Sequence, residues 1–484
     1  MDAARDDGQM FEVPEGDPVS EDGPKPGVDK TFRRYDQDQL YLLPPSIADW
    51  VPEGHLSRFV DDLVEEVLDL EPFLASYTEA RGYPPYDPRL MLKLLLYGYV
   101  TGVRSSRAIE KACGDSVAFR FLSANAAPDF RSIARFRRRH LGALRGLFLE
   151  SLKLCQQAGM VRLGRVALDG TKRRANASRR KAMSYKRMGE VEQRLQREVD
   201  DLLAKAEAAD RREDEAFGED GRDDDLSGEL ARRETRLAKI KRAKADLEAD
   251  ARRRAAEAAA TRATRKGADD DTVAGEASKA GAGAVPEDKA QRNFTDPDSR
   301  VMKTSDGSFH YCYNAQAVVD DAHQVIVATR LDNNGADSPA FSDLLDQVVD
   351  NCGTRPRQVL ADAGYFSADN IDAATSRDID PLIATGRLRH GEVPPTTPRG
   401  RIPKGATPKQ RMARKLRTKP GRAAYARRKA IVEPVFGQMD VVQGAKHLLL
   451  RGGEAANAEW HLLSACHNLR KLFVAKGTAR VAVT

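Results

Sequence analysis

Of the 81 residues from Glu190 to Asp270, 42 are charged and only Phe217 is aromatic. Such a stretch cannot bury a core of its own and is stable only as long solvent-exposed helices laced with ion pairs. Glycines and an acidic run at "FGEDGRDDDLSG" (Phe217–Gly228) interrupt it, so two helices are expected to fold back as a hairpin. Leu195, Val199, Leu202 and Leu203 would then face Leu237, Ile240 and Leu247. The following "GADDDTVAGEASKAGAGAVPED" reads as a flexible linker. Apolar patterning stands on both sides of this block, so the core must be assembled from two segments split by an insertion.

Upstream, residues 1–35 are rich in Asp, Glu, Gly and Pro and read as a disordered tail. From Tyr41 to about Ala158 the apolar spacing is helical, as in Phe59, Leu63, Val67 and in Met91, Leu94, Leu95, Tyr99 after Pro88. The longest apolar run, Leu90–Val103, contains Lys93 and is too short to span a bilayer, which predicts a buried helix and no membrane. No charged-then-apolar leader is present, and the five cysteines form no C-x-x-C pair. The expectation is a cytoplasmic, nucleoid-associated protein with reduced thiols and no cysteine zinc site.

Charge is unevenly distributed. Residues 1–30 hold three basic and nine acidic residues and residues 190–270 hold 19 and 23, against a net of +6 for the whole chain. The remaining body is strongly basic, which points to a polyanion, nucleic acid first; a highly charged surface with no such partner is the alternative. Within the helical region, "TGVRSSRAIEKACGDSVAFRFL" and "APDFRSIARFRRRH" predict a helix, a turn and a second helix beginning near Asp129 or Ser132. That second helix carries Arg131, Arg135, Arg137, Arg138 and Arg139 as candidate DNA contacts, in the manner of a helix-turn-helix reader, or as plain solvated charge.

Beyond the insertion, "FHYCYNAQAVVD" and "QVIVATRL" predict paired strands, Pro339–Val349 a helix, "QVLAD" a short buried strand, Ala368–Thr375 a helix and "DIDPLIA" another strand. "GRVALDGT", before the insertion, reads as one more buried strand. Two strands thus reach an Asp in the same local grammar, Asp169 in "VALDGT" and Asp362 in "VLADAGY", and Glu433 follows in "YARRKAIVEPVFGQ". A single Asp in such a place also serves as a cap or turn residue. Three carboxylates together are what two Mg²⁺ or Mn²⁺ ions require, because hard cations prefer oxygen, and such a pair performs phosphoryl transfer. Residues 386–430 hold 15 Lys or Arg and one acid, Glu392, among many prolines, and read as a loop tracking a phosphate backbone. Lys172, Arg173 and Arg174 stand just beyond Asp169 as further candidate DNA contacts. His461 and His467 fit no common metal spacing and read as packed helix. Pro434 disfavours helix at Glu433, so a kink or a new helix start is expected there.

Taken together, "PDFRSIARFRRRH", "LDGTKRRANAS", "RNFTDPDSRVMKTSDG", "YNAQAVVD", "LADAGYFS", "VEPVFGQ" and "HLLSACHNLRKL" occur in one order, and from about Tyr35 to Phe473 the chain resembles the DDE transposases of bacterial insertion sequences. The resemblance is to the group whose catalytic Glu sits in a Tyr-Arg-Glu-Lys signature. It implies an α/β chain with a ribonuclease H-like catalytic core, in which Asp169, Asp362 and Glu433 bind two divalent metals and cut and rejoin double-stranded DNA at transposon ends, as a homo-oligomer. Tyr425 and Arg428 match the signature and join the DNA-contact candidates. Asp440 stands where its lysine is usual, and the Arg428–Glu433 spacing is one residue longer than the commonest form.

The expected organisation is a tail (1–35), an all-helical DNA-binding domain (36–158), the first part of the catalytic domain (159–177), a charged helical insertion with linker (178–300), the second catalytic part (301–476) and a tail (477–484). Two other functions fit the same residues: a metal-dependent nuclease without strand transfer, and a catalytically silent DNA-binding regulator.

Overall fold

Helix caps punctuate the first part of the chain. The computed structural model describes residues 46–77, 84–217, 225–386 and 396–477, the side chains of 206–229 and 265 excepted; the expected N-terminal tail and nearly all of the C-terminal one lie outside these. Helices α1 (Leu56–Asp62), α2 (Glu71–Leu74), α3 (Pro88–Thr101), α4 (Ser106–Asp115), α5 (Val117–Leu122), α6 (Phe130–Arg139) and α7 (Leu141–Gln157) follow in order. The Asp87 side chain accepts from Arg89 N and Pro88 occupies the first turn of α3. Gly102 ends that helix at φ +88°, where a Cβ would also lie 2.5 Å from Val442 O. As expected, α3 is buried along most of its length, and Lys93 is tolerated there because its ammonium meets Asp61 and Glu65 at 2.5 and 2.6 Å. The region expected to be the first reader helix is two helices, α4 and α5, broken at Ser116. The second is α6, capped by Asp129 through Arg131 N and Ser132 N.

Strand β1 (Val166–Arg174) leads into the insertion, whose base is a two-stranded ribbon of β2 (Ala182–Ser184) and β3 (Gln291–Asn293). From it rise α8 (Tyr185–Phe217) and α9 (Asp225–Arg265). Met188, Val191, Leu195 and Val199 bury against Leu237, Ile240, Ala243 and Leu247 as the expected hairpin seam. Leu202 and Leu203 depart from that expectation: neither is in the seam, and Leu203 is 41% exposed. The expected linker is also corrected. Residues Asp270–Ala282 form helix α10, capped by Asp269 through Thr272 N, and they pack on α9. Its small residues permit that approach, since a Cβ on Gly281 would stand only 3.2 Å from Arg252 O. Arg292 and Arg300 both reach Asp250 of α9, at 2.8 and 2.6 Å, and tie the hairpin to the body.

The main sheet contains β1, β4 (Arg300–Lys303), β5 (Phe309–Asp320), β6 (Ile326–Asp332), β7 (Gln358–Ala361) and β8 (Asp380–Ile383). β5 lies antiparallel to β1, β6 antiparallel to β5, and β7 and β8 run parallel to β1 on its other side. Helices α11 (Phe341–Cys352) and α12 (Ala368–Ser376) connect β6 to β7 and β7 to β8. After α13 (Pro408–Arg417) and α14 (Lys419–Val441), α15 (Gly453–Lys476) runs through the centre of the protein with Trp460, Leu463, Cys466 and Leu472 fully buried. His467 is packed there too, its Nε2 3.0 Å from Gln324 O. One hydrophobic core extends from the N-terminal helices across both faces of the sheet to α14 and α15. Four of the five thiols are buried and none is in a disulfide. No helix among the described residues is long and apolar enough to cross a membrane.

Candidate active site

β1 and β7 pair in parallel register with Leu168 opposite Ala361, so the residues that follow, Asp169 and Asp362, are neighbours at the point where β7 leaves the sheet. β1 continues to Arg174 against β5, which makes it longer than the sequence suggested. Asp169 Oδ2 accepts from Arg428 Nη1 at 2.9 Å, and Asp169 Oδ1 from Gly170 N at 2.9 Å. Burial pushes the Asp169 carboxyl above the usual range; the Arg428 charge opposes that shift and the Asp362 charge adds to it. Asp362 accepts from Gly364 N at 2.8 Å and caps the short turn Ala363–Tyr365.

The glycines beside the two aspartates are required by close approach. A Cβ on Gly170 would meet Asp337 Oδ1 at 3.0 Å, Asn314 Oδ1 at 3.3 Å and the Tyr365 hydroxyl at 3.3 Å. A Cβ on Gly364 would meet Asp337 Oδ2 and Asp362 Oδ1, each at 3.0 Å. Asp337 is therefore a further carboxylate of this site, one that sequence reasoning missed. It accepts from Asn314 Nδ2 at 2.7 Å and from Lys172 Nζ at 3.0 Å. Its only signal was the "NNGADSP" context, which looks like an ordinary turn leading into a helix. Tyr365 is fully buried among these groups, and burial, followed by the Asp337, Asp169 and Asp362 charges, holds its hydroxyl far above its ordinary value.

Helix α14 covers the Asp169 side. Tyr425 Oη donates to Ala361 O at 3.3 Å, so that it and Arg428 link α14 to β7 and β1 respectively. Glu433 is exposed on the same helix, and among the described residues no three His, Cys, Asp or Glu side chains converge as a metal-holding group. Of the two outcomes expected at Pro434, a kink or a new helix start, the new start does not occur: α14 runs on through the proline. The carbonyl that proline leaves without a donor, that of Ala430, accepts instead from Gln324 Nε2 at 2.9 Å. Asp440 pairs with Arg173.

The expected DNA contacts separate by burial. Arg131, Arg135 and Arg138 are exposed and, at spacings of four and three residues, share one face of α6. Arg137 is a correction: it is buried, donating to the Tyr99 hydroxyl at 3.0 Å, Arg104 O at 3.2 Å and Ser106 Oγ at 2.6 Å. Arg139 lies over the Tyr77 ring at 4.3 Å. Arg173 is likewise buried, between Asp440 and the rings of Phe436 and Trp460 at 5.6 and 5.4 Å. Lys172 belongs to the Asp337 cluster, and Arg174 is half exposed and pairs with Asp306 at 2.8 Å. Periodicity could not separate these residues, because a run of arginines has no apolar contrast to read. The basic stretch at 386–430 is not a loop throughout. Pro408 and Pro420 stand in the first turns of α13 and α14, where a missing N–H costs nothing, and Thr407 and Gln410 form a capping box. Residues 387–395 of that stretch lie outside the described residues.

Two family models match the chain: a transposase domain (DUF772) over residues 45–139, and a transposase DDE domain over residues 284–469. The second contains Asp337, Asp362, Arg428 and Glu433; Asp169 lies between the two matches. No curated protein and no solved structure matches the chain. The matches, one on the N-terminal helices and one on the sheet and its closing helices, support a DDE transposase.

Proposed function

We propose that the protein binds the terminal inverted repeats of an insertion sequence and cuts and joins DNA strands, with Asp169, Asp362 and Glu433 holding two Mg²⁺ or Mn²⁺ ions. The observation that carries this reading is the register of β1 against β7, which makes two carboxylates from distant parts of the sequence neighbours beside a buried polar cluster. The order β6-β5-β1-β7-β8, in which β5 alone runs antiparallel to β1, supports a ribonuclease H-like core. Tyr425 and Arg428, both joined to the strands that carry the aspartates, support membership of the Tyr-Arg-Glu-Lys group.

The donors fit a divalent cation, since they are hard oxygens. Tyr365 Oη, Asn314 Oδ1 and Arg428 Nε are buried there without a hydrogen-bond partner, and such atoms mark a place where ions or their waters belong. When bound, two such ions activate an attacking oxygen and stabilise the leaving oxygen of a phosphodiester. Asp169 and Asp362 would hold them from the sheet, and Glu433 would complete the set from α14. Arg428 favours the ionised form of Asp169, the form that binds metal. Asp337 is a positioning residue: it anchors Lys172 and Asn314 and abuts the turn that aims Asp362. The face of α6 with Arg131, Arg135 and Arg138 would take phosphates while the site acts, and pairing of two DNA ends calls for a homo-oligomer on DNA.

The test is cleavage of a labelled transposon-end duplex with and without Mn²⁺, by the wild type and by Asp169→Asn, Asp362→Asn and Glu433→Gln. Metal-dependent cuts at the repeat boundary, lost in all three variants while binding persists, are expected. Cuts without joined products would make the protein a nuclease. The regulator reading has one observation of its own, the acid Asp440 paired with Arg173 at the place of the usual lysine, and binding without any cut would establish it.

A further inference from the structure

The insertion has no role in the chemistry above, yet its base carries a cleft of about 450 Å³ between β2, α9 and the segment after β3. Met183, Ile240 and Phe294 form its apolar floor, and Arg180, Lys181, Arg236 and Lys239 stand around it. No acidic residue lines it, and none of the four cations has a carboxylate partner among the described residues. Some other cations of α9 do have carboxylate partners: Arg233 meets Glu198 at 3.0 Å, Lys244 meets Glu192 at 2.8 Å, and Arg253 meets Asp250 at 2.8 Å. Arg232, Arg236 and Lys239, at successive spacings of four and three residues, instead form an exposed stripe that leads into the cleft.

The cleft is joined to the candidate active site by a rigid element. β1 carries Asp169 and runs five residues further to Arg174, roughly 17 Å at strand rise, before the chain turns into the helical turn Arg179–Lys181 at the rim. A duplex seated at Asp169 and Asp362 is about 20 Å wide and repeats every ~34 Å, so its backbone reaches this distance within a fraction of a turn. The base of the hairpin is held firmly enough to bear on it, through the β2-β3 ribbon and the Arg292 and Arg300 bonds to Asp250.

We propose that this cleft binds the sugar-phosphate backbone of duplex DNA, making the insertion a second DNA-holding element beside the candidate active site. Arg180, Lys181, Arg236 and Lys239 contact phosphates, and Met183, Ile240 and Phe294 pack against deoxyribose. The contact carries no base information and adds affinity that depends on salt. It rests on the reading of the protein as a DNA-acting enzyme.

The experiment compares the full-length wild type with the variant Arg180→Ala/Lys181→Ala/Arg236→Ala/Lys239→Ala, using a fluorescent 40-bp mixed-sequence duplex over a series of salt concentrations. Each phosphate contact contributes about 0.9 to the slope of log K against log salt, so loss of all four should lower the slope by about 3.6 and weaken binding at least tenfold at low salt. Replacing Arg180 and Arg236 with Lys, which keeps the charge, should leave the slope as in the wild type. Circular dichroism checks that the variants are folded, and Arg236→Glu/Lys239→Glu on α9 alone gives the same reading if the four-fold change disturbs the rim. An unchanged slope in a folded variant overturns the proposal while leaving the enzyme reading intact, as does a weakened binding of poly-glutamate alone, which would assign the cleft to an acidic protein. A wild type that binds no duplex overturns both.

Discussion

Arg428 Nη1 on α14 donates to Asp169 Oδ2 on β1 at 2.9 Å, so a fixed cation stands beside the carboxylate that the proposed chemistry needs ionised. Burial is nevertheless the larger influence, and it raises the Asp169 pKa. A carboxyl whose pKa is higher folded than unfolded binds more protons in the native state, so its contribution to stability falls as pH rises from the unfolded value through the folded one. Ionised Asp169 is thus a cost at neutral pH. We expect Asp169→Asn to raise the melting temperature at pH 7.5 and to lose that advantage as pH falls through the raised pKa of the native carboxyl, while abolishing cleavage. Thermal unfolding over that pH range checks the sign; a variant less stable at pH 7.5 would mean that the Arg428 pair outweighs burial.

Glu433 gives the opposite pattern, because it is exposed and holds no structure in place. Glu433→Gln should shift stability by less than about 0.5 kcal/mol and remove metal-dependent cleavage, with duplex affinity kept. Denaturant unfolding and a cleavage assay on the same preparation separate the two effects. Retained cleavage would transfer the third carboxylate role elsewhere, Asp337 being the nearest alternative.

The packing around Gly170 supplies a test that leaves every acid in place. Gly170→Ala puts a methyl about 3.0 Å from Asp337 Oδ1 and 3.3 Å from Tyr365 Oη, and overpacking of this kind costs roughly 1–3 kcal/mol. We expect cleavage to fall more than tenfold, since Asp337, Asn314 and the Asp362 turn must move, whereas the same change at Gly142, where a Cβ meets nothing within 4 Å, should leave cleavage unchanged. Equal rates in both variants would remove Asp337 from the site.

Much of this arrangement was legible in the sequence. Asp169 and Asp362 share a grammar of buried strand followed by small residues, and the β-branched runs around them place the strands well. Composition also exposed the insertion, because a helix that buries only one seam must be charged elsewhere. What could not be read depends on tertiary contacts. Asp337 sits in a turn, and only tertiary contacts reveal it: its bonds from Asn314 and Lys172 and its approach to Gly170 and Gly364. The α10 segment looks like a linker because Ala and Gly are weak evidence for a helix, yet those same small residues let it dock on α9. Arg137 and Arg173 look like their neighbours in sequence and are separated from them only by the buried Tyr99, Asp440 and Trp460 that receive them.

That separation is measurable. Arg138→Ala on the exposed face of α6 should leave the melting temperature unchanged and lower the salt slope of duplex binding by about 1. Arg137→Ala should do the reverse. Its side chain joins Tyr99, Arg104 O and Ser106 inside the protein, beside the buried Arg104–Glu459 pair at 3.2 Å, and loss of one member of such a network costs about 3–5 kcal/mol. A change in slope for Arg137→Ala at a temperature where it remains folded would restore it as a DNA contact.

Gln324 offers a way to disturb Glu433 from a distance. It lies in the β5-β6 turn at φ +60°, a conformation unfavourable to a side-chain-bearing residue, and its side chain satisfies the Ala430 carbonyl that Pro434 leaves open while accepting from Lys471 Nζ at 2.8 Å. Gln324→Gly relieves the strained backbone but removes the clamp, so the two effects on stability, each about 1 kcal/mol, should largely cancel. Cleavage should not recover in the same way, because α14 loses the hydrogen bond that braces it one turn before Glu433. Pro434→Ala in the same chain restores an N–H for Ala430 O and should restore cleavage with it. Activity unchanged in Gln324→Gly would show that α14 holds Glu433 without the clamp, and that the proline is tolerated by packing of Val432 and Val435 alone.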